Sequence, residues 1–436
     1  MASELLLSLR NYKAISSADI RIGSMTIVAG PNGSGKSTIS RAVHSICNMS
    51  IMYRQYADRH AWTQIAKLVG KIVDLGRSLQ PTSSLSAYNV KTLAANHEGP
   101  DFEGMLKPHG FEKTLKSVFD YADKVFDLYL NGKNDVSARA FSALVAALGE
   151  TEKILDEGAV KVVVHEKLNA AERDYLAWIK NREYEVYNEA AQEVRMWLAS
   201  PGYVCLSEDN TKVYETTKSD KTGIKSAADL AEIFGVTRAL YITSPLVSTP
   251  VLDKEGRIGF NDGFTFKAVA QEGFDSAEFF SVMKGSVDSE DADDFANGKK
   301  WVYHRSDGLA VDIDACATGL RSFSILQVLC KYQLLDEGTL LIVDEPEAHL
   351  HPKWIVEYAR TLVGLVGKYK IRLLIATHSP YFLNALEHFV PAERMGTDVR
   401  FYEMTDLDGQ EKKYKSEDVS DNPNSIYKTM YEPFAM

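Results

Sequence analysis

The sequence predicts an α/β fold with a mixed, mostly parallel sheet that is interrupted by a helical insertion. Three observations lead there. Short apolar runs alternate with amphipathic helical stretches at both ends of the 436-residue chain, the pattern of strands joined by crossover helices. From about residue 111 to 198 glycine and proline become sparse, and apolar residues recur at helical spacing. Near the N-terminus an apolar run, residues 25–29, passes through a glycine-rich turn straight into a helical pattern from residue 39 to 46.

Composition narrows the class further. The chain is 45% hydrophobic and 25% charged, so a sizeable core can be buried and wholesale disorder is excluded. A formal net charge of −11 argues against coating nucleic acid by bulk positive charge, while leaving room for a local basic groove. Cys47, Cys205, Cys316 and Cys330 have no C-x-x-C spacing and read as small apolar groups of a reducing compartment, not a disulfide framework or zinc site. No apolar run approaches the roughly 18 residues of a membrane span. Glu4 and Arg10 around a short Leu5-Leu6-Leu7 strand do not make a signal peptide. The expectation is a soluble, cytoplasmic protein with no membrane partner.

In chain order, residues 5–9, 18–22 and 25–29 read as strands. A helix runs from Ser37 past Ile51, and residues 60–80 form a second amphipathic helix that stops before Pro81. The stretch 111–198 supplies three or four helices without a sustained heptad seam, a helical lobe and not a coiled-coil arm. Residues 203–206 and 212–215 form a hairpin, 227–234 a helix and 239–243 a strand. Residues 284–298, with Asp288, Glu290, Asp291, Asp293 and Asp294, read as a solvated acidic loop; the central Gly and terminal Glu of a calcium loop are missing. A hairpin around Asp307-Gly308 is followed by a helix at 321–335, a strand at 339–343 and a helix at 354–366. A strand at 372–376, a helix at 380–386 and a strand at 398–404 complete the alternation. The predicted domains are 1–60 and 236–436 as two parts of one α/β domain, with 61–235 inserted and carrying the hairpin near 203–216.

The chemistry starts at Gly30-Pro31-Asn32-Gly33-Ser34-Gly35-Lys36-Ser37-Thr38. Between a buried strand and a helix, this is the setting that the phosphate-loop pattern G-x-x-x-x-G-K-[ST] requires. Glycines let successive backbone N–H groups point inward at phosphate oxygens, and the helix adds its positive end. Lys36 reaches the β- and γ-phosphates and the Ser37 hydroxyl ligates Mg²⁺. Residues 340–343 are apolar and end in Asp344-Glu345, which suits a magnesium ligand (Asp344) next to a group that polarises the attacking water (Glu345). A third apolar strand ends in Thr377-His378-Ser379, where His378 can hydrogen-bond a γ-phosphate. Open α/β sheets gather their ligands at the carboxyl ends of strands, so the three strand ends belong together and the Lys36 and Asp344 strands are expected to be neighbours.

The phosphate loop, Asp344-Glu345-Pro346-Glu347-Ala348-His349-Leu350-His351-Pro352 and Ala376-Thr377-His378-Ser379-Pro380 together resemble ABC-type ATPases of the RecF/SMC/OLD-like branch, and Leu9-Arg10-Asn11-Tyr12-Lys13-Ala14 is similar to their opening strand. The resemblance covers roughly residues 1–50 and 300–405. It implies an ABC-ATPase-type P-loop domain, ATP and Mg²⁺ as ligands, and a signature segment that contacts the γ-phosphate of a second subunit. Ala317-Thr318-Gly319-Leu320-Arg321-Ser322 is the candidate, with Thr318, Gly319 and Arg321 on the nucleotide. It departs from Leu-Ser-Gly-Gly-Gln, with threonine in the serine's place and one glycine. The glutamine loop could be Gln80 or Gln271, and Tyr12 or Arg10 could stack on the base. A signature acting in trans implies a homodimer or higher homo-oligomer.

Three functional classes follow. Asp406-Leu407-Asp408-Gly409 invites a metal-nuclease reading, but too little chain follows for a Toprim domain, and a hairpin turn is the simpler reading. A chromosome-structuring or DNA-repair ATPase would be expected to carry long coiled coils, and the lysines and arginines of 111–200 are balanced by acids. What remains resembles the ATPase subunits of bacterial anti-phage systems such as Septu, PARIS and retron-associated ATPases. The resemblance implies an ATPase oligomer that controls a separate nuclease or toxin.

Overall fold

The structure, a computed structural model, describes residues 4–79, 110–132, 134–148, 157–181, 198, 202–216, 235–243, 249–252, 257–259, 265–291, 299–390, 398–407 and 413–431. The chain divides into two compact units, Met1–Ser50 with Glu193–Met436, and Ile51–Gln192.

The first unit is an α/β body. In chain order its strands are β1 (Leu5–Tyr12), β2 (Ile15–Ile22), β3 (Met25–Ala29), β4 (Tyr203–Glu208), β5 (Thr211–Glu215), β6 (Arg238–Ile242), β7 (Val251–Leu252), β8 (Arg257–Gly259), β9 (Thr265–Lys267), β10 (Gly285–Asp291), β11 (Lys299–Arg305), β12 (Ala310–Asp312), β13 (Thr339–Asp344), β14 (Arg372–Thr377), β15 (Val399–Asp406) and β16 (Tyr414–Asp418). The main sheet runs β5-β4-β1-β2-β16-β15-β3-β14-β13-β6. From β15 to β6 every pairing is parallel. β4, β1 and β2 are antiparallel, and a parallel β16–β2 pair joins the halves. The sheet is thus mixed, as expected, with its parallel half around β3.

Sequence pattern explains the division. β3, β13 and β14 are buried at every position, as parallel strands covered on both faces must be, and so they read as unbroken apolar runs. β1 buries Leu5, Leu7 and Leu9 while Leu6 and Ser8 are half-buried, the period-two signature of a strand with one buried face. The helix Lys36–Cys47 packs on β6, β13 and β14. Phe323, on the helix Thr318–Lys331, meets Trp354 and Tyr358 edge-on at centroid distances of 5.2 and 5.1 Å. A second sheet runs β10-β11-β7-β8-β9, with β12 on β11.

The second unit is helical: most of Met49–Leu79, then Gly110–Asn131, Asp135–Ala147 and Glu157–Asn181. Trp62, Val69, Ile72, Leu115, Val118, Phe126, Leu144, Val160 and Val164 form its core. Asn134 caps Asp135–Ala147 in a capping box with Ser137.

Four expectations change. The first helix stops at Asn48, and Met49–Leu79 is then continuous. The cause is the Asn48 side chain, which donates to Ala239 O at 2.8 Å and accepts from Ala239 N at 2.9 Å, extending the edge of β6 like an added residue. The hairpin at 203–216 belongs to the main sheet and not to the insertion, because β4 completes the edge of β1 from Leu5↔Glu208 to Arg10↔Tyr203. Most of the acidic loop's first half is strand: Gly285–Asp291 pairs throughout with β11, and Lys331 meets Asp288. β14 lies between β3 and β13, so the Lys36 and Asp344 strands are not immediate neighbours. The helix expected at 227–234, Gln80, Asp293, Asp294 and the turn at 408–412 lie outside the described residues.

Replacing Asn48 by Ala leaves two buried backbone groups of Ala239 unpaired. The expected loss is about 2–6 kcal/mol of unfolding free energy, at about 1–3 kcal/mol per unsatisfied group, measured by urea denaturation.

Candidate active site

The phosphate loop curls because three glycines take backbone angles that L side chains rarely adopt: Gly30 (φ 155°), Gly33 (φ 80°) and Gly35 (φ 96°). Two of them also admit close neighbours. A Cβ on Gly30 would stand 2.8 Å from Met404 Cβ, and one on Gly35 2.7 Å from Ile15 Cγ1. Gly35 is the N-cap of Lys36–Cys47, so that helix's first N–H groups open onto the loop. Pro31, Asn32 and Gly33 are exposed, while Ser37 and Thr38 are half-buried. Lys36 is only 4% exposed. Its Nζ donates to Gly30 O at 2.9 Å and Pro31 O at 2.8 Å. Burial lowers its pKa, and the charges of Glu345, Asp344 and Glu347 oppose that shift.

Strand register carries the other groups to this loop. Ala29 pairs with Thr377, and Ala376 with Asp344. Asp344 is buried, and its Oδ2 accepts from the Tyr241 hydroxyl at 2.8 Å. Its Oδ1 has no hydrogen-bond partner. Burial raises the Asp344 pKa and the charge of Glu345 adds to the rise, while Ser37, Tyr241 and Lys36 pull it back. Glu345 follows in the left-handed region (φ 53°) with its N–H on Ala376 O at 2.8 Å. That conformation costs a non-glycine residue about 1–2 kcal/mol, and it leaves the Glu345 side chain half-exposed beyond the strand end.

His378 stands between two carboxylates, Nδ1 lying 3.7 Å from Glu345 Oε1 and 3.3 Å from Glu347 Oε1. Glu347 is buried, and its Oε1 also accepts from Thr377 Oγ1 at 2.8 Å and from the His378 backbone N–H at 3.0 Å. Ser379 caps the next helix through Phe382 N at 3.2 Å, with Pro380 opening it. The structure therefore gathers Lys36, Asp344, Glu345 and His378 at one end of three strands.

Glu347 and Tyr241 were missed by sequence reasoning. The signal for Glu347 was a third acid directly after Asp344-Glu345-Pro346. For Tyr241 it was a hydroxyl in the otherwise apolar run 239–242. The other candidates sit elsewhere. Thr318 opens its helix, and Gly319 gives room to Leu350 and Trp354, whose nearest atoms would lie 3.1 and 3.3 Å from an added Cβ. Arg321 is held within its own chain, Nη2 donating to Thr249 Oγ1 at 2.6 Å and Asp314 Oδ1 at 2.8 Å. Tyr12 is buried with its hydroxyl on Leu198 O, and Arg10 pairs with Asp19. Both pack the sheet. Gln271 is exposed, its backbone N–H on Lys331 O.

These residues fit Mg²⁺ and a nucleoside triphosphate. Asp344 Oδ1 and Ser34 Oγ are buried polar atoms without partners, a carboxylate and a hydroxyl are the oxygen donors magnesium prefers, and a buried ammonium beside open helix N–H groups suits phosphate.

Comparison with known proteins agrees at the coarse level. Residues 207–384 match the family described as "AAA domain, putative AbiEii toxin, Type IV TA system". The chain is 19% identical over 389 residues to the OLD nuclease of Thermus scotoductus, covering 86% of this chain but only 59% of that protein's length. Two solved structures are similar over nearly the whole chain. One is the Smc head domain of Pyrococcus furiosus, bound to the C-terminal domain of ScpA (12% identity, 100% of each chain, TM-score 0.36). The other is the SMC head domain from Thermotoga maritima (9% identity, 96% of this chain and 99% of that one, TM-score 0.33).

Replacing Glu347 by Ala removes the acceptor shared by Thr377 and His378. At about 1–3 kcal/mol for each of these two buried donors left unpaired, the expected loss is about 2–6 kcal/mol of unfolding free energy, measured by urea denaturation. Binding of a fluorescent ATP analogue is expected to persist.

Proposed function

We propose that this chain is an ATP-binding and ATP-hydrolysing subunit that closes on a second copy around ATP and controls a separate effector, a nuclease or toxin, in bacterial anti-phage defence. The observation that carries the ATPase part is the convergence of Lys36, Asp344, Glu345 and His378 at the carboxyl ends of β3, β13 and β14. In this reading Lys36 exchanges its two loop carbonyls for β- and γ-phosphate oxygens. Ser37 and Asp344 hold magnesium, which supplies neutralisation of phosphate charge. Glu345, placed just past the strand end, orients and deprotonates the attacking water. His378 contacts the γ-phosphate, its backbone N–H held by Glu347.

The dimer rests on the signature segment. In this reading residues 317–322 meet a phosphate that is bound by another copy. Thr318 and Gly319 then offer the N-terminal N–H groups of their helix to that phosphate, and Arg321 orients the segment from within. The matched family description names a putative toxin of a toxin–antitoxin system, which supports a link to a toxin but not to a nuclease. A second reading, a nuclease acting on DNA itself, is favoured by the relative named OLD nuclease. A RecF/SMC-like DNA-repair ATPase is the third.

Glu345→Gln is expected to lower ATP turnover by about 10²–10⁴-fold while keeping ATP bound, and to elute as a dimer with Mg-ATP. An unchanged monomer elution volume would sink the dimer. Co-expression with the products of adjacent genes tests the effector, and no stable complex with or without ATP would overturn that part. Plasmid cleavage by the purified chain with Mg²⁺ or Mn²⁺ would establish the nuclease reading instead, and several-fold stimulation of turnover by DNA ends the repair reading.

A further inference from the structure

The two oxygens of Asp344 are not equivalent in this fold. Oδ2 is occupied by the Tyr241 hydroxyl at 2.8 Å, whereas Oδ1 is buried and has no hydrogen-bond partner. Tyr241 belongs to β6, and the parallel register sets it opposite Ile342, two residues before Asp344. A phenol is long enough to cover that offset and deliver its hydroxyl to the end of the neighbouring strand.

The phenol is itself held in place. The charge of Arg41, on the helix that begins at Lys36, acts on the phenol. His44, on the same helix, lies against the Tyr241 ring with centroids 5.4 Å apart and planes inclined by 33°. A phenol carries one hydrogen. With that hydrogen given to Asp344, the phenol oxygen keeps only lone pairs, which match the positive charge of Arg41.

We propose that Tyr241 is a positioning residue for magnesium. By holding Oδ2 it leaves Oδ1 as the oxygen offered to the ion. His44 packs against the phenol from the phosphate-loop helix, so a shift of that helix bears on the side chain that holds Asp344. Partners that orient a metal ligand typically change metal affinity by about 10–100-fold when removed. This inference rests on the nucleotide reading above and adds β6 to the site.

The test is Tyr241→Phe, which keeps the ring and removes the hydroxyl. A fluorescent ATP analogue is titrated into the variant and the parent chain, once with Mg²⁺ and once with EDTA. Urea unfolding of both without nucleotide reports on the fold. The parent is expected to bind more tightly with Mg²⁺, and the variant to lose that gain by on the order of tenfold while its affinity in EDTA is unchanged. Equal weakening with and without Mg²⁺, or a variant that is less stable yet keeps the full Mg²⁺ gain, would overturn the proposal and reduce Tyr241 to a packing role. If the parent binds no nucleotide in either buffer, the nucleotide reading fails and takes this inference with it; failure of the variant arm alone touches only Tyr241.

Discussion

Ala29, Thr377, Ala376 and Asp344 stand in register across β3, β14 and β13, and the rest of the site depends on that alignment. Each strand is buried on both faces, so a one-residue slip would still bury apolar side chains. What marks this register is the polar contact at the strand ends, Thr377 Oγ1 on Glu347 and the Glu345 N–H on Ala376 O. Because the strands end level, the groups that follow them arrive at one place: the phosphate loop after Ala29, Glu345 after Asp344, and His378 after Thr377.

That place concentrates charge where water is scarce. Asp344 and Glu347 are buried, Glu345 is half-exposed beside them, and Lys36 lies among all three. Buried charges persist only when paired or hydrogen-bonded, and each member here has such support. Lys36 leans on two loop carbonyls, Glu347 on Thr377 and His378, and Asp344 on Tyr241. One Glu347 oxygen accepts from the Thr377 hydroxyl and the His378 backbone N–H and lies 3.3 Å from His378 Nδ1. It ties the end of β14 to the turn after β13.

The connections that assemble this body are long-range and polar. Asn48 ends the first helix by bonding to Ala239, far along the chain. β4 closes the edge of β1 although the Ile51–Gln192 unit intervenes between them in sequence. A chain that departs into a helical unit and returns needs such fixed points, since loop closure grows only slowly more costly with length while mispairing of edge strands remains open.

By itself the sequence determined the kind of fold and the chemical groups at its centre. Unbroken apolar runs marked β3, β13 and β14, glycines at 30, 33 and 35 marked the curled loop, and Asp344, Glu345 and His378 followed from their places at strand ends. These are local signals, because burial on both faces and left-handed backbone angles restrict residue type one position at a time. Tertiary structure alone decided that β14 lies between β3 and β13, that the 203–216 hairpin joins the main sheet, and that Asn48 ends its helix. It also decided the roles of Glu347 and Tyr241. An acid after a proline and a tyrosine in a strand are compatible with many surroundings, and their meaning comes from partners about 30 and 100 residues away, Thr377 for one and Asp344 for the other. Hydrogen bonds of that span leave no periodic trace in a sequence, so only the folded chain could reveal them.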